Sequence, residues 1–467
     1  MEKQTYMFLS SGKNWGSNSP VGRLVKPKSK RKCGLKLKIL LVNPWIYDFA
    51  AFNLWAAPLG LFRVAEYLSS FDTELFFIDC TGSYTAGRFS TGKYSAETVD
   101  KPPLLEAVPR IFRRYGIGID EFVRQVKDAM PFDAVLMTSV MSYWYPGVQK
   151  ATEMIRELAG DVPVILGGIY ATLYHDHAVN ASGADFIFRG PLTESLNFAL
   201  YTFGFKLKKK GDNIPYYRLN FYTDSPFALL QTSTGCPFRC AYCASELLSG
   251  ATYCRRSPSE VLTEIAELHD KGARNYAFYD DALLYDAANH AKPILKGIAN
   301  SGLPAGFHTP NGLHARFVDE DIASLMRSAG FKTVRLGLET VDLERQHNTG
   351  AKVKNSDLER AVALFKQYGF TKDELGVYIM YGLPGQELPE VIEGVRFLQK
   401  FDVKIYLSEF SPVRGTRSWN QLIQDGIIDD TLDPLFTNNT VFSFLYSGYD
   451  AGAVKSLKLA VKGYNQM

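Results

Sequence analysis

Three cysteines within eight residues carry the clearest chemistry in this sequence: Cys236, Cys240 and Cys243, in Thr234-Gly235-Cys236-Pro237-Phe238-Arg239-Cys240-Ala241-Tyr242-Cys243. Three thiolates gathered by so tight a loop can bind three irons of a [4Fe-4S] cluster and leave the fourth iron open to an outside ligand. An open iron is a reaction site. A structural zinc ion normally takes four protein ligands, and no fourth stands close, since Cys254 lies eleven residues beyond Cys243 and His269 farther still. Six cysteines in 467 residues do not make a disulfide scaffold, and half of them crowd into this one loop. A reducing compartment, the cytoplasm, is expected.

The loop has to be positioned by the elements around it. From Phe227 a strand-and-helix pattern runs six times, with strands near 227–233, 275–280, 304–308, 332–337, 375–380 and 403–409. This (β/α)6 repeat predicts a partial TIM-like barrel over 226–420, open on one side, with its site at the C-terminal ends of the strands. The cysteine loop leaves the first of those strands. Ser257-Pro258-Ser259-Glu260 and Ser356-Asp357-Leu358-Glu359 both read as capping boxes that start helices. Upstream, the continuous apolar run of 38–43 reads as a buried parallel strand, followed by Leu61, Val64, Ala65 and Leu68 on one helical face. Strands at 74–79, 133–139, 163–167 and 185–188, with a helix at 147–158, complete a doubly wound, flavodoxin- or Rossmann-like α/β domain over 38–200. An insertion at 81–130 is far longer than an ordinary loop of about 4 to 6 residues. Residues 1–37 read as a basic flexible tail, 201–225 as a connector, and 421–467 as a C-terminal extension that the pattern leaves unplaced.

Hydrophobic residues at 46% and charged residues at 22% are usual for a folded soluble chain, which excludes disordered and fibrous classes. Lys+Arg of 52 against Asp+Glu of 49 gives a net charge of +3, and the excess sits in the first 38 residues, so nucleic acid is not an expected partner. The longest apolar stretch, 39–62, is broken by Asn43, Pro44, Asp48, Asn53 and Pro58, so no membrane span is expected, and the basic N-terminus leads into no apolar segment with a small-residue cleavage site, so no secretory signal is expected either. Gly87-Arg88-Phe89-Ser90-Thr91-Gly92-Lys93 imitates a phosphate-binding loop, but Tyr94 stands where a Mg²⁺-binding hydroxyl belongs and no strand-loop-helix context surrounds it. Arg88, Lys93, Arg110, Arg113 and Arg114 form either a solvated basic face or a lining for an anionic substrate group.

On the cysteine motif, Tyr242 before its third cysteine and the (β/α)6 pattern, 227–420 closely resembles the radical S-adenosylmethionine (SAM) superfamily. The resemblance implies that the amino and carboxylate groups of SAM chelate the open iron, and that reductive cleavage yields a 5′-deoxyadenosyl radical. It assigns SAM's amino group to Asp280 or Asp281, and its ribose and carboxylate to Asn311 and Glu339. Backbone contact with adenine falls to Gly382 and Pro384 in Gly382-Leu383-Pro384-Gly385. The family often has Gly-Gly-Glu where Asp280-Asp281 stands, which leaves the contacting carboxylate ambiguous. As residues alone, the two aspartates equally suit a cap for a helix near Asp286, and Glu339 a solvated loop carboxylate.

The N-terminal domain resembles the cobalamin-binding domain that precedes the barrel in one large radical SAM class, on Leu41-Val42-Asn43-Pro44, Ala57-Pro58-Leu59-Gly60-Leu61, Leu166-Gly167-Gly168 and Arg189-Gly190-Pro191-Leu192-Thr193-Glu194. Gly167 and Gly168 then either wall the cobalamin nucleotide tail or form a plain turn. The loop 45–55 contains no histidine, so a cobalamin without a histidine ligand on its lower face is expected. Together the resemblances imply an enzyme that methylates an unactivated centre of a small-molecule or peptide substrate, with electrons from a flavodoxin or ferredoxin. Cobalamin-assisted rearrangement, other radical SAM chemistry without methyl transfer, and a non-catalytic cobalamin or redox sensor are the alternatives. The intact cysteine triad favours the enzyme.

Overall fold

A strand that is apolar on both faces needs cover on both, and β1 (Leu37–Asn43), with every residue but Lys38 buried, lies at the centre of such a sheet. The computed structural model describes residues 36–190, 192–210 and 225–467. The expected tail lies almost wholly outside the described residues, as do 211–224 of the expected connector. β1 pairs in parallel with β2 (Thr73–Asp79) on one side and β3 (Ala134–Met137) on the other. With β4 (Val164–Leu166) and β5 (Phe186–Ile187) the order is β5-β4-β3-β1-β2, the doubly wound arrangement. Leu61, Ala65 and Leu68 of the helix Leu59–Ser69 cover one face. Phe122, Val126, Val148 and Ile155, from the helices Ile119–Ala129 and Tyr145–Ala159, cover the other. Strand order reverses between β1 and β3, and there a crevice opens, lined by Pro44, Trp45, Ile46, Ala56, Ser139 and Trp144.

Within the expected insertion, Ile119–Ala129 is the crossover helix between β2 and β3. The residues before it build two small antiparallel sheets with the loop that follows β1. Gly92–Tyr94 pairs with Phe52–Asn53 on one side and Tyr84–Ala86 on the other, and Arg113–Tyr115 pairs with Ile46–Asp48 and Ala96–Thr98. Gly87–Lys93 is therefore the bend of a hairpin, without the helix a phosphate loop requires. Of its basic neighbours, Arg88 lies over the ring of Phe89, and Arg114 pairs with Glu97.

The second sheet holds β6 (Phe227–Leu230), β7 (Asn275–Phe278), β8 (Gly306–His308), β9 (Phe331–Glu339), β10 (Leu375–Tyr381) and β11 (Lys404–Glu409), all parallel and in chain order. Tyr276, Phe278, Phe307, Phe331, Val377 and Ile405 face a core closed by the surrounding helices. The helix Pro258–Asp270 starts at the expected capping box, Ser257 Oγ accepting from Glu260 N–H at 3.2 Å. The other expected box is out of register. Its helix begins two residues earlier, at Asn355, so Ser356 lies inside the first turn and the Asp357 carboxylate accepts from Lys354 N–H at 3.1 Å.

The C-terminal extension does two jobs. Leu422, Leu435, Val441 and Phe442 join the core of the N-terminal domain, and Asn438 donates to the buried Asp48 at 2.9 Å. The last helix, Ala451–Gln466, covers β11, whose outer edge would otherwise present unpaired backbone groups. Asn465 satisfies them locally: its Oδ1 accepts from Ile405 N–H at 2.9 Å and its Nδ2 donates to Ile405 C=O at 2.8 Å. At about 0.5–1.5 kcal/mol for each bond, Asn465→Ala is expected to lower stability by about 1–3 kcal/mol in urea denaturation. An unchanged midpoint would show that water replaces both bonds at no cost.

Candidate active site

The cysteine loop starts where the pairing of β6 with β7 ends. Two residues past β6, Thr232 donates to Asp280 Oδ1 through its N–H at 3.0 Å and its hydroxyl at 2.8 Å. Ser233 adds its own N–H and its hydroxyl, the latter at 2.6 Å. Asp280 thus ties the exit of β6 to the end of β7. Burial pushes its carboxyl up to about 6 against the pull of these donors. Thr232 Oγ1 also lies 2.8 Å from His290 Nε2, and burial lowers that imidazole to about 4. Asp281 faces the loop instead, accepting from Ser245 Oγ at 3.0 Å, while that hydroxyl lies 3.2 Å from Cys243 Sγ. Asp280 Oδ2 and Asp281 Oδ2 are both buried and without a hydrogen-bond partner among the described residues. Neither aspartate caps a helix; the next one, Ala291–Ser301, is preceded by His290.

The rest of the loop is held from the far side of the barrel. Ala241 N–H donates to Thr349 C=O at 2.8 Å, Arg417 reaches Arg239 C=O at 2.8 Å, and the Phe238 ring stacks on His314 at 4.8 Å. Cys236 is buried, Cys240 half-buried and Cys243 exposed. Burial raises the Cys236 thiol and pushes that of Cys240 up to about 11, with Lys352 opposing both shifts. Among the described residues no three His, Cys, Asp or Glu side chains lie close enough to hold a single metal ion.

Lys352, which the sequence reading missed, is the counter-charge of this site. Its Nζ lies 3.2 Å from Glu339 Oε1 at the end of β9. Burial works against its charge, but Glu339 and the thiols of Cys240 and Cys243 hold its pKa above the ordinary lysine value. Glu339 stands in the left-handed region, φ 68°, just after a register shift in β9. Gly337 makes room for the pair, since a Cβ there would lie 2.8 Å from both Glu339 Oε1 and Lys352 Nζ. Asn311 is exposed in the turn beyond β8. After β10, Gly382 to Gly385 form a turn clamped by Arg345, which donates to Pro384 C=O and Gly385 C=O at 2.9 Å each and pairs with Glu390. Tyr242 packs against the cluster of apolar residues shared with the N-terminal domain, and burial raises its phenol pKa.

Gly167 and Gly168 are explained by the chain itself. A Cβ on Gly167 would meet the Phe188 ring at 3.0 Å. Gly168, at φ 88°, has Thr138 Oγ1 and Ser139 C=O within 2.7 Å of where its Cβ would lie. The plain-turn reading accounts for both glycines, and the residues lining the crevice are others.

Comparison with known proteins bears on both halves. Residues 230–398 match the radical SAM superfamily. An uncharacterized methyltransferase of Pyrococcus horikoshii is 26% identical over 238 residues, 48% of this chain and 50% of that protein, so the match spans half the length of that relative. The cytidylyl-2-hydroxyethylphosphonate methyltransferase of Streptomyces wedmorensis is 22% identical over 87% of this chain and 85% of its own. Among solved structures, the radical SAM methyltransferase TsrM of Kitasatospora setae, with cobalamin and a [4Fe-4S] cluster bound, superposes with a TM-score of 0.61 at 17% identity, over 84% of this chain and 78% of that one. The cobalamin-dependent SAM radical enzyme OxsB gives a TM-score of 0.52 at 11% identity, over 92% and 61%. A cysteine loop at the head of a six-stranded barrel, with a doubly wound domain before it, is thus a fold that this chain shares with TsrM and OxsB, and its barrel carries the match to the radical SAM superfamily.

Proposed function

We propose that this enzyme binds a [4Fe-4S] cluster through Cys236, Cys240 and Cys243, SAM at the strand ends beside it, and cobalamin in the crevice of the N-terminal domain, and that it methylates an unactivated centre of a small molecule. The observation that carries this reading is the convergence on the cysteine loop of Asp281 and Glu339 from two strand ends, joined by Lys352 from the loop between the helices Leu343–Asn348 and Asn355–Gln367. When bound, the cluster supplies the electron that cleaves SAM to methionine and a 5′-deoxyadenosyl radical, and cobalamin supplies a methyl carrier.

The chain's own residues then have distinct tasks. Asp280 Oδ1 is occupied by four donors, so Asp280 orients the loop, whereas Asp281, with only one donor, presents its buried Oδ2 to the ammonium group of SAM. Glu339 and Asn311 face the ribose and carboxylate, Lys352 balances the thiolates, and the clamped turn at Gly382 and Pro384 offers its backbone to adenine. The residues that line the crevice include no histidine, in keeping with a cobalamin that takes no histidine from the chain. A one-electron reductant of flavodoxin or ferredoxin type and a cytoplasmic setting complete the reading. Among the described residues no helix is long and apolar enough to cross a membrane.

Three outcomes test this reading. Anaerobically reconstituted protein with all three cysteines changed to Ala is expected to lose cluster absorbance and SAM cleavage; a full iron complement would overturn the assignment. Asp281→Asn and Glu339→Gln are each expected to weaken SAM binding by about ten- to hundredfold, the loss of one charge-assisted bond of about 1.5–3 kcal/mol, with iron content unchanged. Asp280→Asn is expected to lower iron retention first, and equal effects at both aspartates would refute the division of roles. Finally, protein incubated with hydroxocobalamin and freed of excess is expected to retain it, and its cobalt(II) spectrum to lack nitrogen hyperfine splitting from the lower face. No retention would remove methyl transfer through cobalamin.

A further inference from the structure

The loop that follows β1 reaches into the barrel. Trp55, 6% exposed, enters an apolar cluster with Leu229 of β6 and Ala277 of β7, separate from the core beneath the helices. Its ring stacks on His308, centroids 4.3 Å apart and planes 24° from parallel, and its Nε1 donates to Phe89 C=O at 2.7 Å. His308 is itself fixed at both nitrogens, Nδ1 lying 2.9 Å from Thr333 Oγ1 and Nε2 3.2 Å from Asn275 Oδ1. Asn275 in turn donates to Ser90 Oγ at 3.0 Å. One residue back, Leu54 C=O accepts from the Tyr279 hydroxyl at 3.1 Å.

The neighbours of these contacts in the chain give them meaning. Ala56 and Ala57, directly after Trp55, line the crevice of the N-terminal domain. Tyr279 directly precedes Asp280 and Asp281, and Asn311 lies three residues beyond His308. Trp55 holds this place in a left-handed backbone conformation, φ 61°, which is strained for a non-glycine residue and persists only where the surroundings fix it.

We infer that Trp55 is a positioning residue: stacked on His308 inside the barrel, it sets the crevice of the N-terminal domain at a fixed distance and angle from the SAM-facing strand ends. The inference rests on the cobalamin reading for its consequence in catalysis. Its contacts stand without it. A methyl group carried between two separately bound cofactors needs them in one geometry, and a misplacement of about 1 Å costs about a hundredfold in rate.

The test compares Trp55→Ala and Trp55→Phe with wild type. The first readout needs no cobalamin: amide hydrogen exchange in reconstituted protein is expected to rise about tenfold in Trp55→Ala at both 45–57 and 306–311, and to return to within about threefold of wild type in Trp55→Phe, which keeps a stacking ring. Loosening of 45–57 alone would overturn the inference, because the contact would then order a loop without joining two domains. The second readout is the spin–spin interaction between cobalt(II) and the reduced cluster. A single narrow distance in wild type is expected to broaden about twofold in Trp55→Ala, with methyl transfer per SAM cleaved falling about tenfold. An unchanged distance and transfer ratio would overturn it too. Wild type that retains no cobalamin defeats the functional reading, and the exchange readout still decides this one. If Trp55→Ala does not fold, Tyr279→Phe removes only the hydroxyl bonded to Leu54. It is expected to raise exchange at 45–57 and 275–281 about threefold, and no rise would overturn the inference.

Discussion

One carboxylate oxygen fixes where the chemistry of this chain begins. β6 is a short edge strand, and its pairing with β7 stops at Leu230 opposite Phe278. The backbone of Thr232 and Ser233 then enters a buried space with N–H groups that need acceptors, and a buried donor left unpaired costs about 1–3 kcal/mol. Asp280 Oδ1 takes both N–H groups and both hydroxyls. Four donors on one oxygen leave the exit of the strand a single trajectory, and Cys236 follows three residues after Ser233. The tight register of the cysteine loop is therefore a property of the β7 end as much as of the loop.

Charge is the second constraint. The three cysteines, Glu339 and Asp281 meet at the mouth of the barrel, with Lys352 as the cation among them. Buried carboxylate oxygens without donors, as at Asp280 and Asp281, are costly unless a ligand supplies the missing proton donors. An ammonium-bearing ligand meets that requirement, whereas an anionic one would add to the repulsion. The same reasoning explains Gly337, whose missing side chain lets the Glu339–Lys352 pair sit against β9 with Lys352 close to Cys240.

The sequence disclosed elements whose pattern is local. Both sheets follow from apolar runs that need two covered faces, and the cap at Ser257 follows from four adjacent residues. Lys352 was not legible, because it meets Glu339 through a short helix and turns whose path no periodicity announces. Ser356 was misread because a Ser-x-x-Glu pattern looks the same wherever the helix starts; here Asp357 closes the first turn. Gly167 and Gly168 suggested room for a ligand, yet what approaches them is Phe188, the Thr138 hydroxyl and the Ser139 backbone. Trp55 and Asn465 act across more than two hundred and about sixty residues of chain respectively, and such partners emerge only when distant segments pack.

A barrel of six strands raises a problem that eight strands would solve by closure: two exposed edges and an interior too wide for its own side chains. This chain uses one segment for an edge and another for the interior. Asn465 and the last helix cover β11, so that edge is satisfied by the barrel's own C-terminus. The interior is filled from the N-terminal domain, by Trp55 and Phe89 against Leu229, Ala277 and His308. Ser90, at the bend of the inserted hairpin, bonds to Asn275 at the start of β7. The insertion thus completes the barrel. Because the filling comes from the domain that bears the crevice, completing the barrel also sets the relative placement of the two sites, and a stability requirement has become a geometric one.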